Sequence, residues 1–185
     1  MIDTTREAHD SGVCVYRIDA ADYIRYVSPA WDQFAVENQG QHLVHRVIGS
    51  SLWRHIGGLE VRAVYRLLLQ RLRTSEQRPI RFPFRADSPT LRRYMEMVVT
   101  PLPNGGIEFR CQSVREEPRR NIALLDPAIA RSEKRIILCA LCKALHAHRE
   151  WMELDEAVRI SSVFDGGLWP HMDHDLCPSC RKLLQ

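Results

Sequence analysis

No stretch of the 185 residues approaches the roughly 18 consecutive apolar residues that a membrane-spanning helix needs. The opening MIDTTREAHDSG lacks the basic and then apolar run of a secretory leader. Both absences predict a cytoplasmic protein with no membrane partner. Lysine is also scarce, with only three among 26 basic residues. The net charge of +3 is therefore carried by arginine, and it is local. Residues 60 to 116 hold eleven arginines against six acidic residues, whereas residues 117 to 185 balance ten against ten. Arg66 and Arg73 fall on a helical face and Arg81 and Arg85 alternate with apolar residues, a pattern that suits solvated surfaces. Nucleic acid is accordingly not the expected partner, although arginines that neutralise phosphates remain the alternative reading.

Catalytic motifs are missing too. There is no Gly-x-Ser-x-Gly, no phosphate-binding loop and no His-Glu-x-x-His. The His-x-Glu with Pro-Cys-x-x-Cys of zinc deaminases is also absent. Kinase, cyclase and helix-turn-helix output segments find no room beside the two modules described below. The expectation is a protein that is not an enzyme and that reports by touching something else.

What the sequence does contain is a spaced set of cysteines. Cys139, Cys142, Cys177 and Cys180 form C-x2-C-x34-C-x2-C, four of the six cysteines in the chain. A reducing cytosol makes such pairs metal ligands and not disulfides. Four thiolates complete a tetrahedral structural zinc site and leave no open position for a substrate. Binding energy on the order of 10 kcal/mol would double as folding energy for a module of only about 50 residues, which is too small to build a sufficient core of its own. His174, three residues before Cys177, could replace one thiolate, but with four thiolates present its ring is expected outside the ligand set, bonded to a cysteine sulfur. His171 and Asp173 are read as solvated loop residues in preference to a second metal site.

The remaining chain holds 45% hydrophobic and 26% charged residues, the balance of a folded globular protein. GVCVYRID and DYIRYVS read as a β-hairpin. Ser28 followed by Pro29 opens a helix that puts Trp31, Phe34 and Ala35 on one face. In LEVRAVYRLLLQRLRTS, the spacing of Val61, Val64, Tyr65, Leu68 and Leu72 predicts a long amphipathic helix. IRFPFRA, LRRYMEMVVTPL and GIEFRCQSV alternate as three strands, the last two joined by Pro-Asn-Gly-Gly. Arg81 and Arg85 fall on the wet side of the first of these. Residues 115–134 read as a linker. RIILCALC then reads as a strand entering a cysteine knuckle, and CPSCRKLL as a knuckle running into helix. Between them WMELDEAVRI reads as a helix packing Trp151, Leu154 and Val158 against the metal site.

The order ββ, short helices, long helix, βββ resembles a PAS domain. YVSPAWDQFAVEN, VIGSSLWRHI and the meander ending in IEFRC carry the likeness over about residues 10 to 115. The tail resembles a cysteine-containing segment at the C-termini of bacterial PAS-bearing sensor proteins, matching Cys139, Cys142, Lys143, Trp151, His174, Cys177, Pro178 and Cys180. The resemblance implies an α+β fold. In it, residues 1–114 form a five-stranded antiparallel sheet with helices on one face, 115–134 link, and 135–185 form the zinc module. It implies a signalling adaptor acting through a partner signalling protein or a homodimer. A PAS-like pocket would be lined by Trp31, Phe34, Leu68, Phe82 and Met97. Neighbouring first and last strands would bring Cys14 and Cys111 together as a redox pair, with two buried core thiols as the plainer reading. No Asn-Cys-Arg-Phe stretch of photoreactive flavin domains occurs and the long helix holds no histidine, so flavin and haem are not expected. His55 is the best axial candidate if haem is bound. A redox sensor that uses the four-cysteine site itself is a further reading.

Overall fold

The computed structural model describes residues 13–184 other than 38, 39, 77, 161–163 and 165–167. The N-terminal run read for a leader lies outside them. The chain divides into two compact units. The first is Met1–His55 with Leu69–Phe82 and Met95–Val114; the second is Ile56–Leu68 with Pro83–Tyr94 and Arg115–Gln185.

The order read from the sequence is the order found. β1 (Cys14–Ile18) and β2 (Ile24–Val27) precede α1 (Pro29–Glu37) and α2 (Leu59–Arg71), and β3 (Ile80–Arg85), β4 (Leu91–Pro101) and β5 (Ile107–Pro118) follow. The five strands form one sheet in the order β2-β1-β5-β4-β3, the α+β arrangement expected from the sequence. Chain-distant β1 and β5 sit side by side at its centre, antiparallel, with Tyr16 opposite Phe109 and their rings stacked at 4.4 Å. Burial follows the alternation on β4, where Met95, Met97 and Val99 are buried, but on β5 Glu108 is buried between Ile107 and Phe109, paired with Arg17 at 2.7 Å.

Ser28 fixes the passage from β2 into α1. Its hydroxyl accepts from the Trp31 backbone N–H at 3.3 Å, capping the helix, and from Val15 at 2.9 Å, and it donates to the Val13 carbonyl at 3.2 Å. One fully buried hydroxyl thus satisfies a helix end and a strand edge at once. Val61, Val64, Leu68 and Leu72 are buried as the helical spacing predicts, and α2 continues into a π-helical turn over Leu72–Glu76. Between β4 and β5, Asn104 and Gly105 both take positive φ, as the Pro-Asn-Gly-Gly turn requires. Arg73 braces this turn, donating to the Gly105 carbonyl at 2.9 Å and to Asp22 at 2.7 Å.

In the second unit, β6 (Arg131–Cys139), β7 (Leu145–Ala147), β8 (Glu150–Met152) and β9 (Trp169–Asp175) form a sheet in the order β8-β7-β6-β9. β6 and β9 are parallel. Parallel neighbours need a crossover connection, here β7, β8 and α3 (Leu154–Ile160). Two readings are corrected by this unit. Residues 115–134 are not a bare linker. β5 runs on to Pro118, and Ile122 and Leu124 are buried in a cluster with Ile136, Leu138, Leu145, Leu154 and Ala157. The short apolar run that looked incidental is core. Trp151 is not helical either: it lies on β8 with its ring 5.1 Å from that of His146, while Leu154 and Ala157 carry the buried face of α3.

A third correction concerns Arg85, expected on a wet face and only 7% exposed. Its guanidinium bonds Asp87 and both oxygens of Glu153, the latter at 2.8 and 2.9 Å. Arg119 bonds the same Asp87 at 2.7 Å and Asp155 at 2.5 Å, and Arg92 also reaches Asp155. The side chains of Asp87 and Arg119 are 0% and 3% exposed, so the carboxylate bridges two guanidinium groups out of water. Buried charges persist only when paired and hydrogen-bonded.

Two outcomes follow from this network. Asp87→Asn leaves Arg85 and Arg119 without their shared charge, and urea titration is expected to read a loss of about 3 kcal/mol or more. For Asp155, desolvation opposes ionisation, but hydrogen bonds from Arg119 and Arg92 outweigh it and hold the carboxyl below its ordinary range. A depressed folded-state value stabilises above the unfolded pKa near 3.9 and is lost as pH falls through the folded one. Stability of the wild type should therefore drop below about pH 4, and Asp155→Asn should flatten that drop.

Candidate metal centre

Two local structures each present a pair of thiols. The first is the turn between β6 and β7. Cys139 ends β6, its N–H donating to the Ala144 carbonyl at 2.7 Å and its carbonyl accepting from Lys143 N–H at 3.1 Å. To close so tightly the chain passes through positive φ at Lys143 (62°), a conformation that glycine usually supplies. The second is the start of α4 (Pro178–Leu183). Cys177 is its N-cap residue, in extended conformation, Pro178 occupies the first turn, and Cys180 follows one turn on. Proline suits that place because its missing N–H would be unpaired there anyway.

The parallel pairing of β6 with β9 brings the pairs together. It sets Cys139 opposite Asp175, whose carbonyl accepts from Ala140 N–H at 2.8 Å, and two residues later the chain delivers Cys177. The Sγ atoms of Cys139, Cys142, Cys177 and Cys180 all lie within 4.8 Å of one another, with Cys142 and Cys177 3.7 Å apart. An ion with metal–sulfur bonds of about 2.3 Å separates tetrahedral sulfurs by about 3.8 Å, so the four donors fit one ion. Cys139, Cys177 and Cys180 are buried and Cys142 is half-buried.

The electrostatics are those of a site that concentrates negative charge. Hydrogen bonds from Cys142 and Cys180, together with the backbone N–H of Cys177 at 3.4 Å, hold the Cys139 thiol well below its ordinary range. Its thiolate in turn pushes Cys142 up to about 11 and Cys180 further up. An entering cation displaces the thiol protons. Lys143 lies against this charge. Its ammonium donates to the Ala140 carbonyl at 2.8 Å, and desolvation pulls its pKa down against the attraction of Asp87, Cys139 and Cys142.

Supporting contacts come from segments with no metal-binding signature. Arg85 N–H donates to the Leu141 carbonyl inside the first turn at 2.7 Å. Arg181 on α4 bonds Glu60 at 2.9 Å and Asp175 at 3.4 Å. Gly58 has φ +82° and passes so close to β9 that a Cβ there would stand 2.2 Å from the His174 carbonyl oxygen. Sequence reasoning missed these residues because each acts at long range, Arg85 and Gly58 through backbone contacts and Arg181 through side-chain ion pairs. The one signal available was the Gly57-Gly58 pair.

The other residues singled out fall as follows. His174 lies on β9 with Nδ1 beside Gly57. Asp173 is paired with Arg135, and the exposed His171 sits opposite Arg135 in the strand register. Cys14 and Cys111 are direct register partners on β1 and β5. Burial raises both thiols, Cys111 to about 12, which keeps each protonated on its own and opposes the redox pairing. Leu68, Phe82 and Met97 are buried, while Trp31 and Phe34 are half-buried. A groove of about 390 Å³ in the first unit is lined by Leu72, Arg73 and residues 101–106. His55 Nε2 is 2.7 Å from the Ser50 hydroxyl.

No protein-family model matches the chain, and no curated protein matches it. Solved structures do. The PAS domain of nitrogen regulation protein NR(II) from Vibrio parahaemolyticus is 14% identical, with 60% of this chain and 99% of that one covered and a TM-score of 0.38. The PAS domain of an HTR-like protein from Haloarcula marismortui is 17% identical, covering 60% and 90%, with a TM-score of 0.37. The Aer2 receptor from Vibrio cholerae, described as a dual PAS-heme oxygen sensor, is 14% identical, covering 56% and 95%, at 0.37.

Two measurements check the centre. Gly58→Ala forces a side chain into left-handed backbone and onto the His174 carbonyl. The thermal midpoint should fall by several degrees, from a penalty of about 2 kcal/mol or more. Cys177→Ser removes a buried ligand. Circular dichroism and limited proteolysis should then show the chain from Arg115 onward opening, and a strong chelator should do the same to the wild type.

Proposed function

We propose that the protein is a non-enzymatic signalling adaptor. In this reading a PAS-like sheet receives a signal, a zinc-stabilised module folds beside it in the chain, and the output is contact with a partner protein or a second copy. The observation that carries the reading is the four-thiol cluster. Four sulfurs already surround the space for one ion, so the centre has no vacant coordination position for a substrate. Thiolate donors in tetrahedral number favour zinc, which has no redox chemistry and no directional electronic preference of its own. Cys139, Cys142, Cys177 and Cys180 would hold it, and Lys143 would offset part of the negative charge of a zinc tetrathiolate.

The five-stranded sheet supports the sensory half. β1 and β5 are adjacent at its centre, so a shift at the inner face reaches both ends of this sheet through hydrogen-bonded neighbours. The arginines support protein contact better than phosphate binding, because many are already committed: Arg73 to Asp22, Arg81 to Glu96, Arg135 to Asp173.

Metal content per chain, measured on freshly purified protein together with its absorption spectrum, tests the proposal. One zinc per chain without visible absorption is the expected result. Absence of zinc removes the proposed clasp, and a strong band near 400 nm would make the sheet a haem site. Sedimentation across a salt series reads the output. Self-association or partner capture that tolerates salt agrees with an adaptor, whereas nucleic-acid binding that falls steeply with salt would overturn it.

A further inference from the structure

Three sulfur side chains in the first unit have no part in the foregoing chemistry. Cys14 on β1 is the register partner of Cys111 on β5, and β4, which carries Met97, flanks β5 on its other side. Partners in an antiparallel pair project to the same face. The Met97 Sδ lies 3.2 Å from the Cys111 Sγ, so the three sulfurs form a row across three neighbouring strands. The row faces α1, because the Cys14 thiol donates to the Ala30 carbonyl at 3.4 Å. Cys14 and Met97, at the two ends of the row, are buried, and Cys111 between them is half-buried, so the row is reached at its middle.

We propose that Cys14, Cys111 and Met97 form a binding site for a soft monovalent metal ion, Cu(I) being the chemical class that suits it. Thiol and thioether donors together select Cu(I) over the harder divalent ions. Zinc is disfavoured here because it seeks four donors and rarely accepts a thioether. The spacing agrees. Neighbouring strands stand about 4.8 Å apart, and two metal–sulfur bonds of about 2.3 Å on opposite sides of an ion span about 4.6 Å. Met97 supplies the adjustable third donor, since its unbranched side chain turns about three bonds. Binding replaces the S–H bonds of Cys14 and Cys111 with two metal–thiolate bonds, releases two protons to solvent, and adds a dative bond from the Met97 sulfur. No electron is transferred. The site is separate from the four-cysteine centre and depends on nothing assigned to it.

The test offers the full chain, with its native metal retained, Cu(I) anaerobically as the bathocuproine disulfonate complex. Chelator colour and zinc content are followed together. Wild type is expected to withdraw one Cu(I) per chain with zinc unchanged. The double variant Cys14→Ser/Cys111→Ser should withdraw none. Met97→Leu conserves volume and keeps the fold, and should weaken uptake at least tenfold. Three results would each overturn the proposal: no uptake by wild type, equal uptake by the double serine variant or by Met97→Leu, or zinc released in proportion to copper bound.

Discussion

The second unit depends on one pairing, that of β6 with β9. Two parallel strands cannot be joined by a tight turn, so the chain between Cys142 and Cys177 adds β7 and β8 on one side of β6 and crosses back through α3 to place β9 on the other. The connection is not slack. Leu145, Leu154 and Ala157 on it fill the cluster that Ile136 and Leu138 of β6 present from below. The register then sets Cys139 opposite Asp175 and delivers Cys177 to its side. Core packing and thiol convergence are thus one geometric event, and neither pair of cysteines has a partner until the crossover is complete.

Charge placement follows from the same economy of space. A dication held by four thiolates keeps a net charge of −2, which a small apolar core cannot tolerate alone. Lys143 answers it from within the turn, bound to the Ala140 carbonyl. Further off, Asp87 between Arg85 and Arg119 forms a second buried charge cluster, closed internally by Glu153, Asp155 and Arg92. Arg85 belongs to both, since its side chain enters the cluster while its backbone N–H bonds Leu141 in the cysteine turn. The unit uses ion pairs where a larger domain would use hydrocarbon.

Local signals carried the sequence reading a long way. Period-two alternation in β4 and β5, period-3.6 spacing in α2, the Ser28-Pro29 helix start and the Asn104-Gly105 turn are all rules that act over a few residues, and each gave its element. The four cysteines were legible for the same reason, because spacing within each pair is local chemistry. The failures share a cause. Arg85 looked solvated because its partners Glu153 and Arg119-bound Asp87 cannot be foreseen from alternation. The segment around Ile122 and Leu124 looked like a linker because a four-residue apolar run in a charged stretch has no period, and its burial depends on strands that come later. Trp151 fitted a helical spacing until β7 claimed it as a cross-strand partner for His146.

The two sulfur groups show how far residue type alone is from function. Six cysteines of one chemistry divide four to two. The four converge from a strand end and a helix start, where backbone N–H groups and Lys143 stabilise thiolate, and four donors suit a borderline divalent ion. The two lie on paired strands beneath a helix, Cys14 opening β1 and Cys111 inside β5 with a methionine sulfur in contact, and so few soft donors suit an ion content with low coordination. Secondary structure makes this difference. A strand interior spends its N–H groups on the ladder and offers only side chains to a ligand, whereas turns and helix starts keep N–H groups free to bond sulfur. A sheet whose central strands meet through Cys14 and Cys111 would therefore feel a bound soft ion directly as a clamp between β1 and β5, which is a signal of the kind an adaptor can pass on.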